Sequence, residues 1–271
     1  MLKFSVLASG STGNSIYVGT KTSNILIDAG LSGKKIEKSL QTIGLTTSEI
    51  DGIFVTHEHE DHIKGLGVLA RKYNIPVYAN KKTFDNLPKS VGLIDDNLKK
   101  FFETSKLVNL GSLKIESFAI SHDAAEPVGY IIRENDFKLS IVTDLGYVSS
   151  TIKDKIKGSD AYIFETNHDI GLLRMSSYPW HIKQRILSDV GHLSNEESGE
   201  TLAEIITDNT QKVFLAHLSR ENNLQELARL TVKNILEDYG ITEQDVKILD
   251  TYPDKPTNLE YLTPKKEIIT I

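Results

Sequence analysis

The chain has 271 residues, 39% of them hydrophobic, and 31 Lys and Arg against 37 Asp and Glu give a net charge of −6. That is enough for a packed core in one large domain or two small ones, while the acidic balance excludes a broad basic surface that clamps nucleic acid by charge alone. The absence of cysteine excludes disulfides, thiolate metal sites and a cysteine nucleophile, so any metal must sit on nitrogen and oxygen.

No apolar run approaches the ~20 residues of a membrane span. The N-terminal residues enter a strand without the pattern of a secretory signal. The expectation is a cytoplasmic protein that does not contact the membrane.

Residues 4–8, 15–19 and 24–28 read as short strands bounded by Gly, Ser and Thr. Ser32 is placed to cap a helix over 33–43, with Gly44 ending it. Residues 52–55 form a buried-type strand, 63–73 a helix and 76–79 a strand, and Lys81 and Lys82 open another helix. From Leu107 onward the pattern repeats, with strands at 112–119, 128–133, 137–143 and 161–165. A helix over 180–188 follows, then one over 195–207 with Ser194 and Glu197 as a capping box. A strand at 213–217 and a helix at 224–239 close the series. Strands followed by alternating helices and strands, twice over, predict two sheets with helices outside, in one α/β domain spanning 1–271.

The most informative stretch is Thr56-His57-Glu58-His59-Glu60-Asp61-His62, directly after an apolar strand. His57 and His59 share a face if the strand continues. Asp61 and His62 fall where the strand turns into a helix and can point back at the same spot. His122, Asp144 and His217 each end a further apolar strand. Singly, such a residue is more often a core histidine or a turn aspartate. Together they supply the count for two metals: His57, His59 and His122 for one, Asp61, His62 and His217 for the other, with Asp144 able to bridge. Two dications against two aspartates and a hydroxide leave a positive centre that attracts a phosphodiester. Such a pair can share that hydroxide as nucleophile and clamp both oxygens of a displacement. Nitrogen and oxygen ligands suit Zn²⁺, Mn²⁺ or Fe²⁺.

In this order and spacing the motifs resemble the metallo-β-lactamase fold superfamily, with Asp28 matching its first, structural aspartate. The resemblance implies a four-layer αββα sandwich with metals at one edge. A cysteine in place of Asp144 marks the commonest β-lactamases; its absence points to the hydrolase and phosphodiesterase branches. The segments at 7–14, 26–30, 165–169, 191–195 and 215–223 are similar to the YycJ/VicX/WalJ family of bacterial proteins, with Thr166 where Ser is usual. That resemblance implies an exonuclease linked to DNA repair and to the neighbourhood of a cell-wall two-component system, and makes Mn²⁺ as plausible as zinc. The chain has no room for an inserted β-CASP domain.

His192 precedes a helix and resembles the phosphate-contacting histidine of the tRNA-processing branch, which implies a proton donor to the leaving oxygen or a stabiliser of transition-state charge. With Asp61 it completes the candidate catalytic pair. Residues 165–169 are placed to orient a ligand, and the Gly-rich turn 9–14 reads as structural. Tyr178, Trp180, Lys183 and Arg185 form either an amphipathic helix with Trp180 in the core or a surface for single-stranded nucleic acid. The reading is a dinuclear metal-dependent phosphodiesterase, a DNA exonuclease with single- or double-stranded DNA as substrate. Two alternatives use the same ligands: a hydrolase of a small thioester or lactone, and a non-catalytic regulatory partner of a two-component system.

Overall fold

A computed structural model describes residues 1–264, so the expected domain span of 1–271 reaches past the described residues. Six strands come first: β1 (Lys3–Ala8), β2 (Ser15–Gly19), β3 (Asn24–Ile27), β4 (Gly52–Phe54), β5 (Val77–Ala79) and β6 (Lys99–Phe101). β1 to β3 pair antiparallel and β3 to β6 pair parallel. The second series is β7 (Leu107–Leu110), β8 (Leu113–Ala119), β9 (Val128–Glu134), β10 (Phe137–Val142), β11 (Ala161–Glu165), β12 (Lys212–Ala216) and β13 (Lys247–Asp250). β7 to β10 are antiparallel and β10 to β13 parallel. The closing strand β14 (Glu260–Tyr261) returns to the β1 edge of the first sheet.

The alternation of side chains along these strands sorts the core into three layers. Val6, Ile25, Ile27 and Phe54 meet Ile115, Tyr130, Ile141 and Phe214 between the sheets. Leu26 and Ile53, on the other face of the first sheet, pack on α1 (Gly33–Thr42) and on α3 (Leu66–Tyr73), which follows the one-turn α2 (Glu60–Ile63). A further short helix, α4 (Lys81–Asp85), lies beyond them. The outer face of the second sheet, with Val142, Phe164 and Leu215, is covered by α5 (Ser150–Ile156), α8 (Asn195–Ile205) and α9 (Gln225–Asp238). Between α5 and α8 lie α6 (Ile170–Met175) and α7 (Trp180–Ile186). Strands covered on both faces read as continuous apolar runs, as these do. The result is the expected αββα sandwich.

Three local expectations change. The helix read over 63–73 is two pieces, because Gly65 is pressed against the 29–31 turn: a Cβ there would lie 2.3 Å from the Leu31 carbonyl, and its N–H donates to Ala29 O. Ser32 stands at the N-cap of α1 but makes no side-chain cap bond. Trp180 is 65% exposed rather than in the core. Lys183 is the buried residue of α7, its Nζ donating to Arg174 O and Ser176 O at 2.7 Å each. The capping box at Ser194 and Glu197 forms as read.

The strand-end loops are clamped to one another. Tyr130 Oη donates across the sandwich to Val55 O at 2.6 Å, just ahead of the histidine motif. A Cβ on Gly30 would fall 1.6 Å from Asp61 O and 2.5 Å from Asn14 N, both backbone atoms. Gly30→Ala is therefore expected to cost at least the ~1–3 kcal/mol of an overpacked core and to displace the 60–62 turn. A thermal melt checks it; a wild-type Tm would mean the turn yields freely.

Candidate metal centre

The chemistry-bearing residues stand where strands end. Val55 and Thr56 carry the chain from β4 to His57; His59 is the N-cap of α2, and Asp61 and His62 lie in its single turn. From the other sheet come His122 after β8, Asp144 after β10, Glu165 at the end of β11 and His217 after β12. Asp28, Asp144 and His217 have φ of 63°, 59° and 57°. This left-handed region disfavours most side chains and is entered most readily, after Gly, by Asn, Asp and His. Each bend turns a strand end abruptly toward the seam between the sheets.

All seven expected ligands meet there. His57, His59 and His122 form one group and Asp61, His62 and His217 another, with ligand atoms within 4.8 Å of one another in each. Asp144 joins both sides: Oδ2 lies 3.3 Å from His62 Nε2, and Oδ1 lies 3.4 Å from His217 Nε2 and 4.0 Å from His122 Nε2. His57 Nε2 and His59 Nδ1 approach to 3.1 Å. Asp144 Oδ2 and His217 Nε2 are buried without a hydrogen bond. Buried polar atoms are normally satisfied, and converging imidazole lone pairs call for a cation or proton between them. The donor set therefore fits divalent metal.

The local electrostatics agree. Burial, helped by the neighbouring His62 charge, pushes His57 well down, so it presents a neutral ring suited to ligation. Burial opposes charge on Asp61, but the His62 charge and bonds from His217 and His62 outweigh it and hold the carboxyl below its usual range.

A ring of supporting bonds aims the ligands. Asp28 accepts from Thr56 N and Thr56 Oγ1 at 2.8 Å each and pairs with His62 Nδ1 at 2.7 Å, leaving His62 Nε2 toward the centre. Glu165, fully buried, takes Leu145 N at 2.6 Å on one oxygen and faces His192 Nδ1 at 2.7 Å and His217 Nδ1 at 3.1 Å with the other. Asn14 Oδ1 accepts from Gly10 N, and its Nδ2 reaches His62 Nε2 at 3.1 Å and Asp61 Oδ2 at 3.3 Å. The 9–14 turn is thus structural in the service of the centre. Asn14 and Thr56 escape sequence reasoning; Asn14's position directly after Gly13 in a tight turn is the only signal.

His192 lines the same cleft of about 250 Å³, as do Tyr178 and Arg185. Arg185 Nε is tied to Asp123 Oδ2 at 2.6 Å. The expected basic face of α7 thus supplies one cation to the cleft, because Lys183 is spent on carbonyls.

His168 is 1% exposed, and neither ring nitrogen has a hydrogen-bond partner. Burial holds its pKa down at about 4. The unfolded chain binds this proton near pH 6.5 and the folded chain near 4. The folded form therefore loses up to ~3 kcal/mol as pH falls through that window and nothing above it. In denaturant titrations from pH 7 to 4, His168→Asn is expected to remove this part of the acid destabilisation; an unchanged pH slope overturns it.

Residues 23–218 match the beta-lactamase superfamily domain. The chain is 51% identical over 262 residues to Exodeoxyribonuclease YycJ of Bacillus anthracis, covering 96% of this chain and 99% of that one. It is 46% identical to Exodeoxyribonuclease WalJ of Streptococcus pneumoniae, covering 95% and 97%. The chain belongs to the YycJ/WalJ family of the β-lactamase superfamily. Its fold is also that of the crystal structure of the metallo-beta-lactamase fold protein YhfI from Bacillus subtilis, with a TM-score of 0.72 at 15% identity over 95% of this chain and 100% of that one. In this family setting neither the thioester hydrolase nor the non-catalytic partner is favoured. No helix among the described residues is long and apolar enough to cross a membrane.

Proposed function

We propose that the chain is a metal-dependent exodeoxyribonuclease that removes nucleotides from a DNA end, in the DNA-repair setting the family resemblance implies. The observation that carries this reading is the paired ligand cluster sharing Asp144, in a chain 51% identical to a protein named an exodeoxyribonuclease.

His57, His59 and His122 would hold one ion and Asp61, His62 and His217 the other, with Asp144 common to both. Mn²⁺, Zn²⁺ and Fe²⁺ all suit this set. When bound, the ions supply positive charge for phosphate oxygens and a water of lowered pKa. The residues do the rest. Asp28, Glu165 and Asn14 fix the ligand rings and carboxylates by the bonds described above, so little reorganisation remains for the reaction itself. Asp61, partly open to the cleft, would take the proton that an attacking water gives up. His192 bonds Glu165 through Nδ1, which leaves Nε2 to give a proton or a charged hydrogen bond to the departing oxygen. The adjacent carboxylate orients the ring for this role.

The test uses labelled single- and double-stranded DNA and RNA with Mn²⁺, Zn²⁺ or chelator. The expected result is progressive shortening of DNA from an end with metal and none with chelator. Turnover of a thioester without cleavage of any polynucleotide overturns the reading.

A further inference from the structure

The metal cleft does not stop at the metal centre. Ser11 and Ser219 line it and also line a second, larger groove of about 650 Å³. The metal cleft falls below the ~300–1,000 Å³ usual for small-ligand sites, whereas the groove lies within that range. A polymer with its scissile phosphate at the metal centre must continue beyond that cleft, and the shared serines mark a continuous path.

The groove is built from three loops locked together. Ser9 N donates to Tyr252 O at 2.9 Å and Ser9 Oγ accepts from His217 N at 2.7 Å. A Cβ on Gly10 would lie 3.3 Å from Leu218 O. Gln225 Nε2 donates to Thr251 O at 2.6 Å. Thus the loops after β1, β12 and β13 form one floor that is bonded directly to the metal-centre residue His217.

Its charge suits a phosphate backbone. Lys35, on the first turn of α1, and Arg220, after β12, both line the groove, are exposed and form no salt bridge among the described residues. Tyr252 adds an aromatic ring to the wall, with Lys255 Nζ 4.0 Å from its centroid. Asp254 is the one acidic residue of the lining. Cations that track a backbone beside an aromatic ring are the means by which single strands are held without sequence preference.

We infer that this groove is the track for the single-stranded segment of DNA next to the nucleotide being removed, with Lys35 and Arg220 each contacting a backbone phosphate. The inference rests on the exonuclease reading and adds to it where the uncleaved strand lies.

The experiment compares metal-loaded wild type with a Lys35→Gln, Arg220→Gln double variant, both substitutions being on the surface. Binding of a labelled 12-nucleotide single strand with phosphorothioate linkages is followed by anisotropy against salt. Each lost phosphate contact should flatten the slope of log K against log salt by about 0.7, so the variant should lose about 1.4. The ratio of kcat/KM for an unmodified 12-mer to that for a dinucleotide should also fall tenfold or more, which a general loss of fold would not produce. An unchanged slope and an unchanged ratio, with the wild type degrading DNA, overturn the groove and leave the nuclease reading standing. A variant that loses about 1.4 of the slope, in a protein that cleaves no DNA, overturns the nuclease reading and leaves the groove as a track for single-stranded DNA.

Discussion

Asp144→Asn is expected to abolish the binding of both ions and to cut DNA hydrolysis by roughly 10²–10³-fold or more, the range for removing one preorganised electrostatic group. The geometry makes this the most damaging single change. Among the described residues, Asp144 is the only carboxylate that approaches histidines of both groups, its Oδ1 facing His122 and His217 and its Oδ2 facing His62. Asparagine tests charge alone, because it tolerates the left-handed backbone that Asp144 occupies at φ 59°. Alanine would add ~1–2 kcal/mol of backbone strain to the lost ligand, so Asp144→Ala should also lower Tm. Elemental analysis under saturating metal reads the outcome: up to two ions per chain in wild type and close to none in the variant. Two ions retained by Asp144→Asn would remove the shared ligand from the scheme.

His192→Ala is expected to keep both ions, the fold and substrate binding, yet slow the catalytic step by roughly 10²–10⁴-fold. Its Nδ1 is taken by Glu165 at 2.7 Å, and it lies in the cleft with ring centroids 5.3 Å from His122 and 5.1 Å from His217. An activated aryl phosphodiester, whose leaving group needs little help, should lose far less than DNA. Glu165→Gln is the informative companion. It disturbs His192 and His217 together, so it should lower the rate and loosen metal, whereas His192→Ala should lower the rate alone. Loss of metal in His192→Ala would make His192 a ligand, beside Asp144 and His217 with which it groups, and the assignment of His217 would have to be revised. Wild-type rates with metals in place would leave it a loop residue.

Much of the centre is legible in the sequence because its ligands follow a simple local rule. Each stands at the end of an apolar strand, and four of them are packed into residues 57–62. Glu165 is visible only as part of a segment placed to orient something. Its partners depend on β11 lying between β10 and β12, where Val142 pairs with Phe164 and Ala216 with Glu165. That is a pairing between distant segments that no local pattern encodes. The break at Gly65 is hidden for the same reason, since the obstacle is a carbonyl thirty-odd residues earlier. Trp180 shows the limit of periodicity. In α7 an aromatic ring and the stem of Lys183 fit an amphipathic face equally well, and the carbonyls that draw Lys183 inward are those of Arg174 in the preceding helix and of Ser176, its C-cap.

The placement of the centre on the seam has a kinetic side. His57, His59, Asp61 and His62 hang from the first sheet, while His122, Asp144 and His217 hang from the second. Neither half-chain owns a complete group of candidate ligands: the first half lacks His122 for one group and His217 for the other. Metal capture must then follow the docking of the two sheets during folding, because non-local contacts of this kind form only after long loops have closed. Ions held by the proposed ligands would act as rivets between the sheets, and mass action would favour the docked state as free metal rises above its dissociation constant. Chelation should therefore shorten the lifetime of the native sandwich.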